Sequence, residues 1–189
     1  MNLAGLPNVL TIARIVAVPL VVALFYWEHP WSDPLAAIVF IAAAITDSLD
    51  GYLARRLGLT TPLGEFLDPV ADKLMVATAL VLLVGHDTRP LIVVTAVVII
   101  GREITVSALR EWMAHLGARA KVAVSSMGKI KTIVQMTGLS MMMFRSDLLG
   151  LPVYDTGVAL LVVAGALTLW WMVSYLQAAW PELRRERLP

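Results

Sequence analysis

Six apolar stretches, near residues 9–27, 35–56, 63–85, 90–113, 128–145 and 153–178, run almost end to end through this chain of 189 residues. At about 1.5 Å per helical residue, each is close to the length needed to cross roughly 30 Å of hydrocarbon. A helix also meets its own backbone hydrogen bonds where no water can do so. The breaks between the stretches read EHPWSDP, RLGLTTP, GHDTRP, HLGARAKVAVSS and RSDLLGLP, each supplying the Pro, Gly, Ser or Asp that ends helices. With 59% hydrophobic residues, 15% charged residues and a mean hydropathy of +0.78, the chain does not have the composition of a soluble domain. The expected fold is therefore all-α, a polytopic membrane protein with six transmembrane helices forming one integral membrane domain over residues 1–189. No linker, low-complexity segment or internal repeat interrupts it, and a repeat-built transporter gains no support.

A net charge of +1 gives no reason to expect a nucleic-acid partner, and the lack of cysteine removes disulfides, thiolate metal sites and cysteine nucleophiles. The first apolar run ends in LFYWEHP, without a small-residue cleavage pattern, so a retained first helix is expected. Basic residues orient the bundle. Arg55 and Arg56 follow the second stretch; Arg110, Arg119, Lys121, Lys129 and Lys131 surround the fourth-to-fifth connection; Arg184, Arg185 and Arg187 follow the sixth. The opposite loops carry only Arg89 and Arg145, so the positive-inside rule places both termini and the even-numbered loops in the cytoplasm. Tyr26, Trp27, Trp31, Trp112 and Trp180 fall near stretch ends, where interfacial aromatics belong, and Met141 to Met143 are expected on a lipid or packing surface.

Two pairs of aspartates break this apolar background: Asp47 and Asp50 in AITDSLDGYLARR, and Asp68 and Asp72 in GEFLDPVADKLM. Even by the mildest insertion scale a charge at mid-membrane costs on the order of 3 kcal/mol, so four carboxylates need compensation. Asp47 and Asp50 stand at i, i+3 and Asp68 and Asp72 at i, i+4; each pair shares a helix face, and antiparallel neighbours can aim both pairs into one cavity. Pro69 is expected to disturb the turn back to Glu65 and open a helix end there. Oxygen donors without a nearby histidine suit a hard ion such as Mg²⁺ or Mn²⁺, and phosphoryl chemistry commonly uses two such ions. Ion pairing with Arg55, Arg56 and Lys73, or a place in a proton or ion pathway, is an equal alternative for any single aspartate, but not for four of them in this glycine and arginine context. His29, His86 and His115 do not cluster in the sequence.

Residues 47 to 72 read DxxDGxxAR, eight residues, then GxxxDxxxD: Asp47, Asp50, Gly51, Ala54, Arg55, Gly64, Asp68 and Asp72. This pattern resembles the signature of the CDP-alcohol phosphotransferase family, with every position filled, and the six-helix layout agrees. The resemblance implies direct transfer of a phosphatidyl or similar group from a CDP-linked donor to an alcohol, with CMP released and no phosphoenzyme. It implies that Asp47, Asp50, Asp68 and Asp72 bind metal and that Asp72 is also the catalytic base on the acceptor hydroxyl. Gly51 and Ala54, small and on the helical turn that follows Asp50, would let a nucleotide approach the backbone, and Arg55 would meet a phosphate. Asn8, Thr11 and Arg14, spaced by three in LPNVLTIARIVAVP, and Thr61 are further candidate contacts to CDP-diacylglycerol.

REITVSALREWMAHLG and VAVSSMGKIKTIVQM resemble the branch of this family that takes sn-glycerol 3-phosphate. Arg110, Lys129 and Lys131 are then the candidate glycerol-3-phosphate contacts, with Ser125 or Ser126 capping a helix whose N-terminus favours an anion. Membrane lipids and a second copy of the chain, in a homodimer, are the remaining partners the resemblance implies, and the location it implies is the inner membrane with the site facing the cytoplasm. Branches using phosphatidylglycerol, serine or inositol phosphate, and a divalent-cation transporter, are the alternatives. The orientation predicts that cysteines introduced singly at Gly58 and Gly117 resist an impermeant thiol reagent applied to intact cells and react after permeabilisation; labelling from outside would invert the topology.

Overall fold

In the computed structural model residues 6–57, 62–115, 127–147 and 150–185 are described. They form six helices, α1 (Leu6–Phe25), α2 (Ser32–Leu57), α3 (Pro62–His86), α4 (Pro90–His115), α5 (Met127–Met143) and α6 (Val153–Arg185), and no β-strand occurs among the described residues. These bounds match the six apolar stretches closely, except that α6 runs seven residues past the expected end at 178. At 33 residues it is about 50 Å long, so its arginine-bearing end exceeds the hydrocarbon thickness. Among the described residues, α4 and the Val153–Ser174 part of α6 are long and apolar enough to cross a membrane, and Leu10–Phe25 is a shorter apolar segment.

Pro69 does not end a helix. It lies inside α3, as Pro19 lies inside α1, and both helices continue through. A proline removes one donor from the ladder, and flanking turns held by packing can carry the helix past that gap. The opened helix end expected at Glu65 is therefore absent.

The chain forms two compact units, Met1–Asp87 with Leu139–Gly157, and Thr88–Gly138 with Val158–Pro189. In the first, α1 packs on α2 and α3. Ala36, Ala37, Phe40 and Ala43 form the buried stripe of α2, and Ala71, Met75, Ala79, Leu80 and Leu83 that of α3. Small residues at these intervals let helices approach where apolar burial against lipid gives little driving force. Met142 and Met143 are fully buried, so the methionine run is packing surface. In the second unit, Ile92, Thr95, Ala96, Ile99, Val106, Leu109 and Met113 repeat every three or four residues on the buried face of α4. Val94, Val97 and Ile104 point outward, as lipid-facing positions would. Gly165 of α6 lies so close to α4 that a Cβ there would stand 3.1 Å from Thr95 Cγ2. Hydroxyls inside these helices bond to the preceding turn, Thr46 to Ala42 O, Thr95 to Leu91 O and Thr105 to Gly101 O.

The first unit has a polar clasp that the sequence pattern did not indicate. Arg145, just after α5, adopts a left-handed backbone with φ of 52°, a conformation costing an L-residue about 1–2 kcal/mol. Its side chain offsets this. Nε donates to Asp33 Oδ1 at 2.9 Å, Nη2 donates to the same carboxylate and to the Phe25 carbonyl at 3.1 Å, and the guanidinium lies 4.1 Å from the Phe25 ring centre. Nearby, Tyr154 donates to Asp87 at 3.0 Å, and the His86 ring meets Phe25 and Tyr154 edge-on. One arginine thus joins the end of α1, the start of α2 and the end of α5. Charge-assisted bonds of this kind contribute about 1.5–3 kcal/mol, so Arg145→Met should lower unfolding free energy in detergent by about 2 kcal/mol, and Asp33→Asn should add little more in that background. A loss below about 0.5 kcal/mol, within the range of ordinary surface substitutions, would show the clasp to be incidental.

Candidate active site

The face of α1 that carries Thr11 and Arg14 is turned inward, leaving them 1% and 3% exposed. Their i, i+3 spacing directs them along one side of the helix toward two different neighbours. Thr11 Oγ1 donates to Asp68 Oδ1 of α3 at 2.6 Å, and the Arg14 guanidinium forms an ion pair with Asp47 Oδ1 of α2. Each aspartate pair of the signature is therefore tied to α1 by one member. Arg14, a candidate donor contact in the sequence, is thus a cation paired with Asp47; the side chains of Arg55 and Arg56 lie outside the described residues.

Asp72 lies one turn beyond Asp68 on α3 and is exposed; Gly64, one turn before Asp68, is buried. The side chains of Asp50, Gly51, Ala54 and Arg55 on α2, and of Asn8 on α1, lie outside the described residues, although their helices are described; Thr61 lies outside altogether. Among the described residues no three acidic or histidine side chains gather in the manner of a closed metal cluster. The donor chemistry nevertheless fits a hard divalent cation: Asp47, Asp68 and Asp72 offer carboxylate oxygens only, each group with two acceptor atoms. Thr11 and Arg14 hold one oxygen of Asp68 and one of Asp47.

The second unit contains a separate charged group inside its helices. Lys131 of α5, 4% exposed, reaches Glu103 Oε1 of α4 at 3.1 Å, and Arg102 Nη1 reaches the same oxygen at 2.8 Å. Two cations share one carboxylate oxygen. Arg110, two turns along α4 from Glu103, is half-buried. The side chain of Lys129, and Ser125 and Ser126 entirely, lie outside the described residues. Sequence reading missed Arg102 and Glu103. The signal was present as an adjacent Arg and Glu in the middle of an apolar stretch, because buried opposite charges need partners from another helix.

The Arg14–Asp47 pair makes an asymmetric prediction. Stranding a buried charge by removing its partner is costly, whereas replacing both partners by apolar groups is often close to neutral. Here the guanidinium is 2% exposed and the carboxylate 39%, so the loss should fall below that of a fully buried pair. Asp47→Leu, which leaves the more deeply buried guanidinium without this counter-charge, should lower the detergent melting temperature more than Arg14→Met does. The double variant should recover most of that loss; additive losses would show that the pair is not coupled.

Comparison with known proteins bears on the whole chain. A family model described as CDP-alcohol phosphatidyltransferase matches residues 4–174. A CDP-diacylglycerol--glycerol-3-phosphate 3-phosphatidyltransferase of Pseudomonas fluorescens is 50% identical over 183 residues, covering 96% of this chain and 93% of that protein. The protein of the same description from Escherichia coli (strain K12) is 47% identical over 179 residues, covering 95% and 97%. A cardiolipin synthase (CMP-forming) of Oryza sativa subsp. japonica is also 47% identical, over 193 residues and 95% of this chain, but the match spans only 58% of the rice protein. The signature carboxylates bound to α1 and a family match through five helices and most of the sixth lead to one assignment: the chain belongs to the CDP-alcohol phosphatidyltransferase family.

Proposed function

We propose that this protein transfers the phosphatidyl group of CDP-diacylglycerol to sn-glycerol 3-phosphate, forming phosphatidylglycerophosphate and CMP. The observation that carries the reading is the double tie of Thr11 to Asp68 and Arg14 to Asp47, which links the two halves of the signature through one helix. The two bacterial relatives, aligned over 93% and 97% of their own lengths, support the acceptor. The family match across residues 4–174 supports treating the chain as one catalytic domain.

In this reading Asp47, Asp50, Asp68 and Asp72 would hold Mg²⁺ or Mn²⁺, two ions, which when bound would supply positive charge to the diphosphate and the leaving CMP. Asn8, Thr11, Arg14, Gly51, Ala54, Arg55 and Thr61 surround the cytidine diphosphate end. Asp72 accepts the proton of the acceptor hydroxyl. That hydroxyl oxygen forms a bond to the lipid-side phosphorus, whose bond to the CMP oxygen breaks, so the electron pair leaves with CMP. Arg110, Lys129 and Lys131 receive the acceptor phosphate, to which cationic side chains give charge-assisted hydrogen bonds. The enzyme works as a homodimer in the inner membrane with its site toward the cytoplasm, the side on which the basic residues concentrate. The rice relative supports a second reading, in which phosphatidylglycerol is the acceptor and the product is cardiolipin.

CMP release by the purified protein with CDP-diacylglycerol and Mg²⁺ distinguishes these readings. It is expected with glycerol 3-phosphate and not with glycerol, phosphatidylglycerol, serine or inositol phosphate. Asp72→Asn should reduce turnover by about 10²–10⁴-fold, the usual contribution of a positioned general base, while retaining CDP-diacylglycerol binding better than Asp47→Asn or Asp50→Asn. Release with phosphatidylglycerol alone would transfer the assignment to the second reading. Full activity after exhaustive chelation would remove the metal from the mechanism.

A further inference from the structure

Gln135 lies one turn beyond Lys131 on α5 and, like it, is 4% exposed. Its Oε1 is buried and has no hydrogen-bond partner among the described residues. Leaving a buried amide acceptor unsatisfied costs about 1–3 kcal/mol, and an apolar residue of the same size would avoid that cost. Thr168 Oγ1 of α6 is also buried without a partner, but a helical threonine hydroxyl can rotate to the carbonyl of its own preceding turn. A glutamine oxygen accepts only and has no such recourse.

The position suggests what meets it. Side chains at i and i+4 stand about 5–6 Å apart on one helix face, so Gln135 and Lys131 form a polar row, with the lysine ammonium also held by Glu103. A phosphomonoester on the ammonium would place the hydroxyls of its carbon chain beside the next turn. An amide end presents both a donor and an acceptor, as a hydroxyl does. We propose that Gln135 binds the secondary hydroxyl of the acceptor, so that Lys131 recognises the phosphate and Gln135 the polyol. This deepens the proposed function and rests on it: the acceptor is a phosphorylated polyol.

The test compares sn-glycerol 3-phosphate with 3-hydroxypropyl phosphate, which keeps the phosphate and the reacting primary hydroxyl and lacks only the secondary one. The wild-type protein should prefer glycerol 3-phosphate in kcat/KM by on the order of tenfold or more, because the analogue leaves the Gln135 amide unmatched. Gln135→Leu should reduce that preference to within about twofold, with KM for CDP-diacylglycerol and inhibition by inorganic phosphate unchanged, and should melt no lower than wild type. Gln135→Met, closer in shape, provides the same comparison if the leucine variant folds poorly. Preference retained in either folded variant, or equal use of both acceptors by wild type, overturns the proposal while leaving phosphatidyl transfer intact. A wild-type protein that releases CMP with neither phosphorylated acceptor overturns the proposed function itself.

Discussion

Charge compensation within apolar helices is the constraint on which the rest of the structure depends. Four signature aspartates are placed on α2 and α3, in a chain whose remaining residues are mostly lipid-grade, and bare carboxylates in that setting would oppose folding by several kcal/mol each. The structure answers from α1: Arg14 neutralises Asp47, and Thr11 donates to Asp68. A helix that would otherwise serve as a hydrophobic anchor thereby holds two others at a defined register. Each tie fixes the direction of one carboxylate, Asp47 by an ion pair and Asp68 by a hydrogen bond.

The same physics recurs away from the signature aspartates. Glu103 is shared by Lys131 and Arg102 within the second unit, and Asp33 is held by Arg145 in the first. All three arrangements use a basic residue from a distant part of the chain or a different helix, and at Glu103 and Asp33 the charge is combined with directed hydrogen bonds. Pairs of this kind, with a buried or nearly buried cation and a partly exposed acid, contribute little to net stability. Their consequence is specificity: a misplaced helix would leave an uncompensated charge. The clasp at Arg145 carries this furthest, since it holds a non-glycine residue in a left-handed conformation.

The elements were legible in the sequence to an unusual degree, because helix boundaries in an apolar chain are marked by proline, glycine and charge. Five of six helices ended within about three residues of where the sequence placed them. Departures had local causes: α6 continues into its arginine-rich end, where helix formation no longer depends on lipid, and α3 passes through Pro69 because packing holds the turns on both sides. The candidate site was legible as a list of residues and much less as a set of contacts. Thr11 and Arg14 were recognised on one face of α1, but their carboxylate partners were not. Arg102, Glu103 and Gln135 were passed over, since a single polar residue in an apolar helix has no periodic pattern to announce it.

By itself the sequence determined that the chain is helical, where its helices lie, and that its carboxylates stand at i, i+3 and i, i+4 on two of them. These follow from hydropathy and helical geometry, which act over one or two turns. Only the tertiary structure decided which cation answers which acid. Arg14 with Asp47, Lys131 with Glu103 and Arg145 with Asp33 are separated by 33, 28 and 112 residues, and several lysines and arginines were equally plausible partners by charge alone. Coulomb attraction does not select among them; the packing of small residues that sets the helix register does.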